Sequence, residues 1–125
     1  MRILLVDPQL DSRCAIARWL DEFFGHVQME SAASGAEALK AVEKRIPDLV
    51  LPAHPMPVLD GIELGAIVKA RPNPPAVVVV TLSCTAGFDV QCKAAGVDLW
   101  LEKRHLQVRL LDFLQKRFPK TGRRP

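Results

Sequence analysis

The sequence predicts a doubly wound α/β domain, in which a five-stranded parallel sheet carries five helices on its two faces. Five short runs rich in Val, Ile and Leu alternate with five segments whose apolar residues recur at helical spacing. Parallel strands need long crossover connections, and helices of this length provide them. The 125 residues, 49% of them hydrophobic, are enough for one domain with one core.

The chain begins with a buried strand and an amphipathic helix. Residues 2–6 are mostly Ile, Leu and Val, which is typical of a strand buried on both faces. An apolar stripe then predicts a helix over residues 9–24. Asp7 and Pro8 suit its start, because Asp caps a first turn and proline tolerates the first helical position. Gly25 suits its end.

Two more strands and a second helix complete the first half. Residues 26–32 alternate weakly between apolar and polar, which predicts a strand near a sheet edge. Ser34 and Glu37 have the spacing of a capping box, so a helix should begin there and end before Pro47. Residues 48–51 are a short apolar run that predicts the third strand.

The second half repeats the same alternation. Its run of four valines is the most strongly β-forming stretch of the chain and predicts a strand in the centre of the sheet. The elements predicted here are a helix over 58–70, a strand over 76–80, a short helix over 88–95, a strand over 97–101 and a last helix that ends before Pro119.

Composition excludes several classes of protein. No apolar run approaches the ~20 residues that cross a bilayer. An acid at position 7 comes too early for a signal peptide, so we expect a cytoplasmic protein. The three cysteines, Cys14, Cys84 and Cys92, are too widely spaced for a disulfide framework or a metal site. Residues 119–125 contribute much of the net charge of +3, and we interpret them as a basic tail or the start of a linker.

Polar side chains are expected where the predicted strands end. In an open parallel sheet, functional groups project from the carboxyl ends of the strands. Asp7 follows the first strand, Thr81 the fourth and Lys103 the fifth. Ala53, after the third strand, brings neither a carboxylate nor a hydroxyl. The sequence therefore predicts a carboxylate, a hydroxyl and an ammonium group around one gap.

Five fragments in a fixed order carry a resemblance to a known family. They are Ile3-Leu4-Leu5-Val6-Asp7, then Asp48-Leu49-Val50-Leu51 with Met56-Pro57 and Asp60-Gly61, then Val78-Val79-Val80-Thr81, Ala95-Gly96-Val97-Asp98, and Lys103. With these fragments the chain resembles the receiver domain of two-component response regulators. The resemblance covers residues 1–118 and implies a flavodoxin-like fold with strand order 2-1-3-4-5.

The resemblance implies a role for each residue at the gap. Receivers take a phosphoryl group from a kinase phosphohistidine onto an Asp at the end of the third strand. There Asp7 would be one of two adjacent acids that hold Mg²⁺, Thr81 would bond a phosphoryl oxygen and Lys103 would pair with the acceptor. Trp100 takes the position of the aromatic whose rotation reports the state of the site.

Two departures from the family pattern change the expected function. The acceptor position, three residues before Met56, holds Ala53, which has no nucleophilic oxygen. The second acidic position holds Pro8, so with Asp7 alone we expect Mg²⁺ binding to be weak or absent. We therefore expect a degenerate receiver that is not an enzyme, has no cofactor and acts as a phosphorylation-independent regulatory module.

The resemblance also implies protein partners. A kinase, an output domain or a second copy in a homodimer would bind through the face formed by the fourth helix, the fifth strand and the fifth helix. DNA would be reached only through an output domain outside this sequence, as in a transcriptional regulator whose N-terminal part this would be. No membrane contact is expected.

Two other hypotheses stay open. His54 lies beside the gap and could accept a phosphoryl group in place of an Asp. Cys84 follows Thr81 and could be a redox switch if a nearby cation such as Lys103 activated its thiol. If neither holds, Lys103 should pair with Asp7, the acid left at the gap, either directly or through a bridging water.

Overall fold

The computed structural model describes residues 1–119, in which strands and helices alternate as predicted. A 3₁₀ turn, Lys103–His105, joins the last strand to the last helix. The strands are β1 (Arg2–Val6), β2 (Gln28–Ala32), β3 (Leu49–His54), β4 (Ala76–Thr81) and β5 (Leu99–Glu102). The α-helices are α1 (Leu10–Phe23), α2 (Gly35–Lys44), α3 (Gly61–Lys69), α4 (Phe88–Ala95) and α5 (Leu106–Arg117).

The strands form one parallel sheet in the order β2-β1-β3-β4-β5, which confirms the predicted fold class. At its carboxyl edge Val6 of β1 lies beside Pro52 of β3. Thr81 of β4 lies between His54 of β3 and Glu102 of β5. The register therefore brings the ends of four strands to one edge, where the sequence placed the gap.

Two apolar cores lie on the two faces of the sheet. Successive strand residues point to opposite faces, so each face needs its own helices. One core joins the sheet to α2, α3 and α4 and includes Leu4, Val50, Val79, Val42, Leu64 and Phe88. The other joins it to α1 and α5 and includes Leu5, Leu51, Val78, Leu20, Phe24 and Leu110.

β3 extends to His54, three residues beyond its predicted end. Proline lacks an N–H donor, so Pro52 looked like the point where the strand stops. The pairing with β4 continues on both sides of it, with Val50 opposite Val77 and Ala53 opposite Val80. Ala53 is therefore held inside the sheet, and its position does not depend on a loop.

Side-chain caps fix the starts of α2 and α3. Ser34 Oγ accepts a hydrogen bond from the Glu37 N–H at 3.2 Å, as predicted, while the Glu37 carboxylate accepts from the Ala33 N–H at 2.8 Å. α3 has a complete capping box that was not predicted. The Asp60 and Glu63 side chains each accept the other's backbone N–H, at 2.8 and 3.1 Å. This box anchors the helix that follows Ala53.

The predicted basic tail, residues 119–125, lies outside the described residues except for Pro119. Within residues 1–119, none of the helices combines the length and the apolar character needed to cross a membrane.

Candidate functional site

A cleft of about 310 Å³ opens at the carboxyl edge of the sheet. Four predicted site residues line it together: Asp7, Ala53, Thr81 and Lys103. Pro8 and His54 also line it. The sequence thus predicted correctly which strand ends meet here. Trp100, on β5, does not line this cleft.

The acidic side of the cleft is shaped by Asp7. Its Oδ1 accepts the Gln9 N–H at 2.9 Å, and its backbone oxygen accepts a hydrogen bond from Arg13 Nη1 at 2.5 Å. The helix predicted over 9–24 starts one residue later in the structure, because α1 begins at Leu10, and its first turn has no side-chain cap. Asp7 caps the turn before the helix instead, and Pro8 is exposed outside it.

Lys103 bonds a hydroxyl and not the acid. Its Nζ donates to Ser12 Oγ at 2.6 Å, across 91 positions of sequence. Ser12 is a buried residue of the first turn of α1, only 6% exposed. The predicted direct ion pair between Asp7 and Lys103 is therefore wrong, because no such contact lies within 4.0 Å among residues 1–119, and the alternative of a bridging water stays a prediction. Asp7 accepts the Gln9 N–H, and Lys103 donates to Ser12.

The β3 end of the cleft is closely packed. A Cβ on Gly61, the first residue of α3, would overlap the backbone oxygen of Ala53. His54 Nδ1 lies 3.6 Å from Asp60 Oδ1, too far for a hydrogen bond, and this buried nitrogen has no other partner among the described residues. The imidazole packs against Phe88, with ring centroids 5.4 Å apart. His54 is therefore a half-buried wall residue and not the surface loop residue that its sequence context suggested.

Thr81 sits at the end of β4, buried at 4% exposure. Its hydroxyl donates to the Ser83 backbone oxygen at 3.2 Å. The hydroxyl at the predicted phosphoryl-binding position thus has a local partner, which ties the strand to the loop that follows it.

Trp100 is half-buried against the core that α2, α3 and α4 share. Its Nε1 donates to Asp89 Oδ1 of α4 at 2.9 Å, and its backbone oxygen accepts from Arg109 of α5 at 3.4 Å. Trp100 therefore connects the three elements of the predicted partner face, through its indole to α4 and through its backbone oxygen to α5.

Cys84 lies in acidic surroundings. Partial desolvation raises the pKa of its thiol, and the Glu102 and Asp89 carboxylates raise it further. The Cys84 backbone N–H donates to Glu102 at 3.3 Å, and this bond lowers the pKa of the Glu102 carboxyl, with a second contribution from Arg104. Lys103, which the redox hypothesis named as the activating cation, is not among the groups that shift the pKa of this thiol, and its ammonium donates to Ser12.

Two residues of the cleft were missed by the sequence reading, Ser12 and Arg13. Both belong to the first turn of α1 and line the cleft. A signal was present, since Ser12 stands four residues before Ile16, within the apolar stripe that continues to Leu20. A polar residue in such a stripe needs a buried partner, which here is Lys103.

No group of three or more His, Cys, Asp or Glu side chains within residues 1–119 is arranged to hold a metal ion. Asp7 is the carboxylate that the cleft wall offers.

Comparison with known proteins gave consistent matches. Residues 3–120 match the model of the response regulator receiver domain. The positive alginate biosynthesis regulatory protein of Pseudomonas aeruginosa is 38% identical over 82 residues, which are 65% of this chain and 33% of that protein. The transcriptional regulatory protein PrrA of Mycobacterium tuberculosis is 30% identical over 102 residues, 82% of this chain and 43% of that protein. The chain spans less than half the length of the curated relatives it matches.

Solved structures give the same fold. The chemotaxis protein CheY4 of Vibrio cholerae has a TM-score of 0.79 at 26% identity, covering 92% of this chain and 96% of that one. The signal receiver domain of a DNA-binding response regulator from Colwellia psychrerythraea has a TM-score of 0.87, covering 96% and 99%. At 17% identity this second likeness shows the fold alone.

Proposed function

Because this chain belongs to the response regulator receiver domain family, we propose that it is a signalling module that works without aspartyl phosphorylation. One observation carries the proposal: the strand that should end in an acceptor carboxylate ends in Ala53 and His54. Ala53 is fixed in register opposite Val80, so no neighbouring carboxylate can take its place by a small slip of a loop. A methyl group has no oxygen to attack a phosphoryl group.

The metal site is proposed to be lost as well. Mg²⁺ is held by several hard oxygen ligands, and phosphoryl transfer uses it to neutralise the developing charge. Pro8, in the second acidic position, supplies none, which leaves Asp7 as the carboxylate of the cleft wall. The donor set of the cleft does not fit the ion, so we propose a binding module with neither cofactor nor enzymatic activity.

The proposed partner surface is the face of α4, β5 and α5. Val90 of α4 and Val108 of α5 expose 72% and 78% of their surface, and the same three elements carry Trp100 and Arg109. Exposed apolar residues ringed by charge are typical of contact surfaces. The partner would be a kinase, an output domain or a second copy of the chain. The relatives that are transcriptional regulators suggest that DNA would be bound by a part of the protein outside this sequence.

Without a phosphorylation event, the module needs another source of control. The Trp100 bond to Asp89 and the Lys103 bond to Ser12 hold the two sides of β5 in one arrangement. A partner that binds this arrangement more tightly than an alternative would shift the population toward it. In the proposed module, Trp100 reports this partner-selected state in place of a phosphorylated one.

The second candidate is phosphoryl acceptance at His54. Its favourable feature is position, since the imidazole lines the same cleft as Thr81 and Lys103. Its Nδ1 is buried and faces Asp60, which leaves Nε2 as the atom that would have to react. The third candidate, a redox switch at Cys84, is disfavoured because desolvation and, after it, the acidic neighbours raise the pKa of the thiol.

Incubation with Mg²⁺ and acetyl phosphate, followed by intact-protein mass spectrometry, tests the proposal. We expect no phosphoryl adduct, and no change in Trp fluorescence on addition of beryllium fluoride. A receiver that keeps both acids and its acceptor Asp is the positive control. A stoichiometric adduct would overturn the proposal, and its disappearance in His54→Gln would establish the second candidate.

A further inference from the structure

The cleft has the size and lining of a small-molecule pocket. Its volume of about 310 Å³ lies at the lower end of the range for ligand sites, roughly 300–1,000 Å³. Apolar side chains from the sheet, α1 and α5 form much of its wall, among them Ile16, Leu51, Val80 and Leu106. Leu82, at the wall and 76% exposed, is left uncovered by the fold. A ligand with an apolar body would bury this surface.

Two cations face this apolar space without an ion-pair partner. Among residues 1–119, neither Arg13 nor Lys103 lies within 4.0 Å of a carboxylate. Arg13 uses Nη1 on a backbone oxygen, and its buried Nε has no hydrogen-bond partner among the described residues. Lys103 donates to the Ser12 hydroxyl, which leaves further donors of the ammonium free. Buried donors of this kind are normally satisfied.

The charges select a singly charged acid. Arg13 and Lys103 supply two positive charges, and the Asp7 carboxylate at the same wall supplies one negative charge. A single carboxylate neutralises the remaining charge of the cleft, whereas a dianion would leave an excess negative charge beside Asp7. Guanidinium groups bind carboxylates through paired N–H donors, which adds geometric selectivity.

We infer that this cleft binds a small organic acid with one carboxylate and an apolar body. The carboxylate is held by Arg13 and Lys103, and the body is buried against Ile16, Leu82 and Leu106. The inference rests on the proposed function, because an aspartyl phosphate at position 53 would occupy the same space. An acid that takes a hydrogen bond from a free donor of Lys103 binds beside the Ser12 bond, which joins α1 to the end of β5.

Titration of the ¹⁵N-labelled protein, observed by NMR and calorimetry, tests this with three matched probes. They are 2-naphthoate, the neutral 2-naphthamide and the dianionic 2-naphthyl phosphate. We expect 2-naphthoate to bind with a Kd below about 1 mM. It should bind at least about tenfold more tightly than the amide, because charge-assisted hydrogen bonds form with the acid alone. The Ser12 and Leu82 amide signals and the Arg13 Nε–H signal should shift.

Matched variants locate the site. Arg13→Gln and Lys103→Met should each weaken 2-naphthoate binding about tenfold and leave the amide unchanged. Arg18→Gln, on the exposed side of the same helix, and Lys44→Met, exposed on α2, should change neither. Ala53→Asp places a like charge in the cleft and should weaken the acid more than the amide.

Three results would overturn the inference. They are no binding of 2-naphthoate at millimolar concentration, equal affinity for the acid and the amide, and tighter binding of the phosphate than of the carboxylate. If Arg13→Gln or Lys103→Met disturbs the NMR spectrum, Ala53→Asp decides alone. A phosphoryl adduct on the unmodified chain would instead defeat the proposed function, so the two failures are distinguishable.

Discussion

The two halves of the cleft differ in what they hold. The half formed by the ends of β1 and β3 carries Asp7, Pro8 and Ala53, and therefore one carboxylate. The half formed by the ends of β4 and β5 carries a hydroxyl and an ammonium, from Thr81 and Lys103. The proposed loss of chemistry is confined to the first half, while the second keeps the groups that the family resemblance names.

The retained hydroxyl of Thr81 and ammonium of Lys103 each form a hydrogen bond within the fold. Thr81 bonds the Ser83 backbone oxygen, and Lys103 bonds the buried Ser12 hydroxyl. The methyl group of Ala53 and the ring of Pro8 cannot form a side-chain hydrogen bond of this kind. A surviving hydroxyl or ammonium is therefore weak support for catalysis, because packing alone can maintain it. To judge whether phosphoryl transfer is retained, the informative positions are those whose side chains serve the reaction alone.

Restoring the acids should have the largest effect. Ala53→Asp alone is expected to give little phosphorylation with acetyl phosphate and Mg²⁺, since Pro8 still leaves the metal short of an oxygen ligand. The double variant Pro8→Asp/Ala53→Asp should react at least about tenfold faster, by analogy with the loss that follows disruption of a metal site. Adduct formation over time, measured by mass spectrometry, gives both rates. Efficient phosphorylation of the single variant would show that the β1 side of the cleft still supports metal binding.

Gly61 tests how rigidly the β3 side is fixed. Gly61→Ala would bring a methyl group onto the Ala53 backbone oxygen, and we expect overpacking to reduce the free energy of unfolding by about 1–3 kcal/mol. Gly25→Ala is the matched control, because a Cβ there meets no atom within 4 Å. Urea denaturation of both variants measures the difference. Equal stabilities would mean that the β3–α3 junction can move, so that the empty half is not held closely.

Cys84 gives the smallest expected effect and tests the β4–β5 half. Its raised pKa leaves less thiolate near pH 7.5, so iodoacetamide should label it slowly. Glu102→Gln removes one carboxylate that raises the pKa, and labelling should accelerate about two- to fivefold. Peptide mapping follows Cys84, with the exposed Cys14 as the internal reference. Fast labelling of Cys84 in the unmodified protein would support the redox hypothesis.

The sequence predicted the fold well because its signals are local. Uninterrupted apolar runs and capping residues such as Ser34 define their own elements, and parallel strands place Asp7, Thr81 and Lys103 at one edge. The extension of β3 through Pro52 was not predictable in this way. It depends on neighbouring strands that hold the backbone extended on both sides of a residue with no donor.

Side-chain partners were the least predictable part of the site. Lys103 was expected to seek the remaining acid, but its partner depends on where the first turn of α1 places Ser12. Ser12 lies 91 positions away in the sequence, so the bond depends on how α1 packs against the end of β5 and no local pattern predicts it.

The hydrogen bond between Lys103 and Ser12 joins two residues that are synthesised at very different times. A ribosome adds about 5–20 residues per second, so ~5–20 s separate the synthesis of Ser12 from that of Lys103. Through that interval Leu20 of α1 lacks Leu110, a residue of the same core, because α5 has not yet been translated. In the nascent chain, the core that α1 and α5 share stays incomplete until β5 and α5 have left the ribosome. Slow translation near the end of this domain would therefore prolong its exposure to proteases and to aggregation.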